Sequence, residues 1–146
     1  MLSAIQYCHE RNIIHRDVKL ENFLVSTSEN EEMRVKLSDF GLACKYDADE
    51  PPRELCGSLH ISSPELITGK SYCHKVDLWG LGVILYQLLS SELPFYSKYN
   101  KTHIQRIVKQ EIAFDDNKIW NDVSKEAKDL LKKLLDKNPK SRLSAS

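Results

Sequence analysis

Two carboxylates, one amide and one lysine carry the chemistry that this sequence advertises. Asp17, Lys19 and Asn22 fall together in His15-Arg16-Asp17-Val18-Lys19-Leu20-Glu21-Asn22, and Asp39 follows in Asp39-Phe40-Gly41. Carboxylates accept protons from hydroxyls that they touch. Carboxylate and amide oxygens are also the hard donors that Mg²⁺ takes, an ion that keeps several waters and uses few protein ligands. Other candidate motifs fail on spacing. Gly69-Lys70-Ser71 looks like the end of a phosphate-binding loop, but the glycine required five positions earlier is Pro64. Gly80-Leu81-Gly82 lies in an apolar run and reads as a close-packing device. His9, His60, His74 and His103 have no ligand-like spacing and no acidic neighbour in sequence, so they read as surface or core histidines, and His15 as a structural hydrogen-bonder in its loop.

The first motif resembles the catalytic loop of eukaryotic serine/threonine protein kinases, and Asp39-Phe40-Gly41 resembles their magnesium-binding motif. In phosphoryl transfer the protein positions the hydroxyl, neutralises phosphate charge and holds the metal. The resemblance makes Asp17, Lys19, Asn22 and Asp39 the catalytic set. Asp17 accepts the hydroxyl proton, Lys19 contacts the transferred phosphate and marks serine/threonine specificity, and Asn22 and Asp39 hold Mg²⁺. Lys19, Glu21, Asn22, Leu24 and Asp39 are placed around ATP, with Leu24 in the floor under adenine. Glu21 also resembles the carboxylate that reads a basic substrate residue, although its usual helper appears as Gln87. Arg16, Phe40, Gly41, Glu54, Ser58, Glu65, Asp77 and Arg142 are the activation-segment and structural positions. Asp77 is expected to hold the catalytic-loop backbone, Arg142 to pair with Glu65, and Ser58 to bridge Asp17 and Lys19. Glu54 stands where many relatives carry an activating phosphothreonine, so a fixed carboxylate there pairs with Arg16 or else stays an unpaired surface acid. The family pattern breaks in Cys56-Gly57-Ser58-Leu59-His60-Ile61-Ser62-Ser63, where Leu59 replaces proline and Ile61 an aromatic residue. That stretch shapes the pocket beside the accepting residue.

Several elements must position these residues. Phe23-Leu24-Val25 and Val35-Lys36-Leu37 fit two short strands joined by the polar stretch 26–32. The segment from Tyr46 to Ser63 reads as an irregular loop. Beyond Gly69, Val76 through Leu89 are apolar all round, as in a helix buried on every side. Ile104, Ile107 and Val108 give a shorter amphipathic helix. The last helix opens at Ser124 as N-cap, buries Ala127, Leu130, Leu131, Leu134 and Leu135, and stops at Asn138-Pro139. The fold class is mainly α with a small β element: residues 1–146 are expected to be the C-terminal lobe of a protein-kinase-like α+β fold, with the N-terminal lobe absent.

Composition sets the remaining bounds. With 41% hydrophobic and 29% charged residues among 146, the chain can bury a core. Its 21 basic and 21 acidic side chains cancel, which disfavours nucleic acid and anionic membranes as partners. Four cysteines at irregular spacings suggest neither a zinc site nor a disulfide framework. No signal peptide opens the sequence, the longest apolar run is short of the ~20 residues that span a bilayer, and a cytoplasmic location is expected. Asn100-Lys101-Thr102 fits a glycosylation acceptor but has no consequence without secretion. The second half, Phe114-Asp115-Asp116 through Trp120 and Val123 through Leu130, looks most like calmodulin-dependent and calcium-dependent protein kinases. No glycine-rich loop or strand lysine precedes His15, so ATP and Mg²⁺ use, and action on a protein or peptide substrate, are expected once an N-lobe or the remaining kinase chain completes the site. The alternative is a non-catalytic binding module or pseudokinase-like scaffold, which has no physical need of all four catalytic side chains.

Overall fold

The computed structural model describes residues 1–27, 33–114 and 118–145. Residues 28–32 of the polar stretch 26–32 and the Asp115-Asp116 pair lie outside the described residues. The molecule is mostly helical with two small antiparallel sheets, in the order α1 (Leu2–His9), β1 (Ile13–Ile14), β2 (Phe23–Ser26), β3 (Arg34–Leu37), β4 (Cys44–Lys45), α2 (Pro64–Ile67), α3 (Lys75–Ser90), α4 (Asn100–Lys109), α5 (Lys118–Asn121) and α6 (Lys125–Leu134). β2 pairs with β3 in the register Phe23 to Leu37 and Ser26 to Arg34, as the two apolar pieces suggest. β1 pairs with β4, Ile14 opposite Cys44, and sequence alone offered no sign of this ladder.

α3 is the hub because its apolar residues point in every direction. It supplies Trp79 and Val83 to a cluster with Phe95, Ile107, Trp120, Leu131 and Leu135. On another side it gives Leu78 and Ile84 to Ile5, Val18, Phe23 and Leu134. Val76 joins Ile14, Leu66 and Tyr72 in a third cluster. Two neighbours approach so closely that only glycine fits. A Cβ on Gly80 would sit 2.6 Å from the Val18 carbonyl oxygen, and one on Gly82 would sit 2.9 Å from Leu134 Cβ. The helix is not buried throughout, however. Leu88 is 61% exposed, because the packed elements cover the helix only as far as Ile84 on that side, and an apolar cleft is left open there with Leu2 and Leu130 on its rim.

α6 begins as expected, with Ser124 Oγ accepting from the Ala127 amide at 3.2 Å. It ends at Leu134, earlier than Asn138-Pro139 indicates, and Leu130 is half-exposed rather than part of the buried stripe. The chain must leave the helix early so that residues 136–142 can turn back: Asp136 accepts from the Asn138 amide at 2.9 Å, and Arg142 Nε donates to the Asp136 carbonyl at 2.9 Å. In α4 the buried pair is His103 and Ile107, four residues apart, with Ile104 and Val108 at the margin.

Candidate functional site

The loop between β1 and β2 is fixed from below by one carboxylate. Asp77, 1% exposed in the first turn of α3, accepts from the amides of His15 and Arg16, each at 2.9 Å. Those bonds hold Arg16 in the left-handed region at φ 70°, a conformation that costs a side-chain-bearing residue of the order of 1 kcal/mol. His9 Nε2 lies 2.8 Å from the same carboxylate, so His9 does have an acidic partner, contrary to the expectation from sequence. Sixty-eight positions separate them, a distance that only the fold closes. His15 Nε2 donates to the Ser38 carbonyl at 2.9 Å, which leaves Nδ1 to accept from the Asp17 amide at 3.3 Å and fixes the imidazole tautomer.

Asp17 is 5% exposed and fully engaged. Its Oδ1 accepts from the Ser58 amide at 3.1 Å and from Ser58 Oγ at 3.0 Å; its Oδ2 lies 2.6 Å from Lys19 Nζ. Lys19 also donates to Ser58 Oγ at 3.1 Å, so the serine hydroxyl joins acid and base. Burial works to raise the Asp17 pKa, but the bonds from Lys19 and Ser58 outweigh it and hold the carboxyl below its ordinary value. Lys19 is raised in turn, first by the bond to Asp17. The pair is therefore ionic at neutral pH. Asn22 Nδ2 donates to the Asp17 carbonyl at 2.8 Å and to Oδ2 at 3.3 Å, which commits the amide nitrogen and leaves the oxygen for another partner.

Asp39 stands above this group in a left-handed conformation, φ 57°, where it caps the short 3-10 turn Phe40–Leu42 and accepts from the Gly41 amide at 3.2 Å. It is exposed, and its charge acts on Lys19. Phe40 lies edge-on to His15 with ring centroids 4.9 Å apart. Glu21 and Leu24 are exposed on the same stretch.

The segment following β4 closes on the loop at two points. Gly57 lies at φ 82°, and a Cβ there would sit 2.5 Å from the Arg16 carbonyl oxygen. Arg16 Nη1 donates to Glu54 Oε2 at 2.8 Å and to Tyr72 Oη at 3.1 Å. Burial lowers the Arg16 pKa, while Tyr72 and Glu54 raise it further, so the guanidinium stays charged. Below, Arg142 Nη1 and Nη2 grip Glu65 at 2.6 and 2.9 Å, both residues buried. Two contacts in this region had no sequence signal. Tyr72 belongs to none of the motifs that the sequence offers. His60 Nδ1 meets His103 Nε2 at 3.2 Å, and His103 Nδ1 donates to the Phe95 carbonyl at 2.9 Å, which ties the short turn Leu59–Ile61 to α4.

A helical lobe that presents an ion-paired aspartate, an amide and a second carboxylate from two adjoining loops is organised as phosphotransferases of the protein kinase class are. Residues 1–146 match the family model described as Protein kinase domain, and the chain belongs to that family. By family it is an enzyme. Its relatives include calcium-dependent protein kinase 21 of Arabidopsis thaliana, 38% identical over 146 residues that make up 100% of this chain and 27% of that protein. The liver/testis isoform of the phosphorylase b kinase gamma catalytic chain of Mus musculus is 38% identical over 151 residues, 99% of this chain and 36% of that one. Calcium-dependent protein kinase 2 of Zea mays is 37% identical over 146 residues, 100% of this chain and 28% of that protein. The likeness to calcium-dependent protein kinases read from the sequence is thus borne out. The chain spans about a quarter to a third of the length of these relatives. Among the described residues no helix is long and apolar enough to cross a membrane, and the four cysteines are free.

Proposed function

We propose that this chain is the C-terminal lobe of a serine/threonine protein kinase domain, which transfers the γ-phosphate of ATP to Ser or Thr hydroxyls of a protein once an N-terminal lobe completes the nucleotide site. The observation that carries the reading is the Asp17, Lys19 and Ser58 triangle. A carboxylate kept ionised, with a lysine beside it, is poised to accept a hydroxyl proton while the lysine meets negative charge.

The donors present fit magnesium. Asp39 and the free oxygen of Asn22 are hard ligands, and among the described residues no cluster of three His, Cys, Asp or Glu side chains forms an all-protein cage. Magnesium, when bound, would neutralise charge on the phosphates. Asp17 takes the acceptor proton, Lys19 steadies the transferred group, and Ser58 keeps both in register. Beside them a cavity of about 250 Å³, lined by Leu55, Leu59, Ile67 and Ile104, suits an apolar side chain next to the accepting residue. Arg16 meets a carboxylate, Glu54, at the position where an added phosphate would otherwise supply the negative charge. Leu24 is 57% exposed, which agrees with an adenine floor that lacks its roof.

The test compares the longer protein that contains this chain with its Asp17→Asn variant on serine and tyrosine peptides. Serine phosphorylation is expected, with kcat falling on the order of 10²- to 10⁴-fold in the variant. The 146-residue chain alone is expected to bind Mg-ATP very weakly and to transfer nothing. Full activity of Asp17→Asn, or turnover by the isolated chain, would overturn the reading.

A further inference from the structure

We infer that the Tyr72 hydroxyl, more than the Glu54 carboxylate, fastens the segment 46–58 to the catalytic loop, which makes Tyr72 the positioning residue for Ser58. The inference rests on the reading of that loop given above. Tyr72 lies just before α3 and is 4% exposed, its ring packed with Ile14, Leu66 and Val76. From this fixed point it reaches the segment at alternate residues. Its amide donates to the Pro52 carbonyl at 3.1 Å, its hydroxyl donates to the Glu54 carbonyl at 3.1 Å, and the same oxygen lies 3.9 Å from Cys56 Sγ. Alternation is what an extended stretch presents to one side. The hydroxyl also accepts from Arg16 Nη1 at 3.1 Å, so one oxygen joins the segment to the loop that carries Asp17.

Glu54 makes a poorer fastener. Its side chain is 76% exposed while that of Arg16 is 8% exposed, and an ion pair with one partner in water gains little over hydration of the two charges. A buried hydroxyl is different, because its loss leaves a guanidinium N–H and a backbone carbonyl short of a partner. Burial pushes the Tyr72 pKa up to about 12, so the phenol keeps the proton that it donates across the physiological range. Glu54 and Tyr72 touch the same arginine, and that shared contact lets substitution separate them.

Hydrogen exchange of the 146-residue chain, read by mass spectrometry without nucleotide, tests the assignment. Tyr72→Phe keeps the ring in its core and should speed exchange of the amides of Ser58 and of position 72, which donate to Asp17 Oδ1 and to the Pro52 carbonyl, about tenfold, a difference the size of one hydrogen bond to a charged group. Exchange in α3 should change much less. The Arg16 Nη1 protons, followed in parallel by NMR, should exchange faster in the same variant, because Nη1 is the donor to the Tyr72 hydroxyl. Glu54→Gln should change both readouts less than about threefold, in line with an exposed pair. Arg16→Lys leaves the Tyr72 core untouched and should open the same amides. The assignment is overturned if Glu54→Gln opens the segment as much as Tyr72→Phe, or if Tyr72→Phe and Arg16→Lys leave it closed. A failure of phosphotransfer by the longer protein would not alter these readouts, so the two proposals can fail separately.

Discussion

Arg142 enters the interior with its charge because four of its five N–H donors are met. Glu65 takes two of its N–H groups, and the carbonyls of Lys75 and Asp136 accept at 3.0 and 2.9 Å. Such a pair adds little over a well-packed apolar substitute, but breaking it strands a buried charge. Glu65→Gln is therefore expected to lose about 3–5 kcal/mol of unfolding free energy in urea titration. The double change Glu65→Leu with Arg142→Met should recover most of that loss, which identifies the cost as desolvation rather than lost attraction. The residues of this pair were legible through family resemblance, since they lie 77 positions apart and no local pattern joins them. Asp17, Lys19, Asn22 and Asp39 were legible for a different reason. They sit on two short loops whose sequence order is nearly their spatial order.

At the scale of elements, α6 and its return loop press Lys137 onto the core that α3 builds. Lys137 Nζ lies 3.5 Å from the Phe95 ring centroid and 4.7 Å from that of Trp79, with no hydrogen-bond partner. Burial lowers its pKa to about 8, against attraction from Glu111 and with further lowering by Arg142. Between about pH 8 and the ordinary lysine value near 10.4 the unfolded chain holds a proton that the folded chain has released, so stability rises with pH in that window. Below about pH 8 both states are protonated and the full penalty remains. Lys137→Met should flatten this rise and add on the order of 1–3 kcal/mol at neutral pH, the low end reflecting the lost cation–π contact. Denaturant titrations at pH 7 and pH 10 would check both signs. The helices themselves were readable from the apolar period and the Ser124 cap. The early end of α6 was not, because Arg142 and Asp136 impose it from outside the helix.

Over the whole molecule, the accessible surface is 9162 Å². A compact monomer of 16.8 kDa would expose roughly 7,600 Å². The excess accompanies large apolar side chains near the loops that carry Asp17 and Asp39: Leu24 and Val25 on β2, Met33, and Phe40 and Leu42 in the following turn are each 39–69% exposed. Apolar surface of this kind draws partners. The isolated chain is accordingly expected to self-associate in sedimentation velocity as its concentration rises, and Leu24→Lys with Val25→Glu to shift it toward monomer. An unchanged distribution in that double variant would place the association elsewhere, with the cleft at Leu88 as the alternative face.

The sequence by itself determined the family, the candidate site residues, the two-strand hairpin and the three longer helices, because each rests on a short motif or on a local period. Tertiary structure alone decided which distant groups satisfy one another. His9 shares the Asp77 carboxylate that holds the loop amides, Tyr72 joins Arg16 to the segment before it, and His103 holds His60. Buried polar atoms must find partners, and the partner is whichever group the packed core brings within about 3 Å. That choice follows from the way α3 is enclosed, and no local spacing along the chain records it.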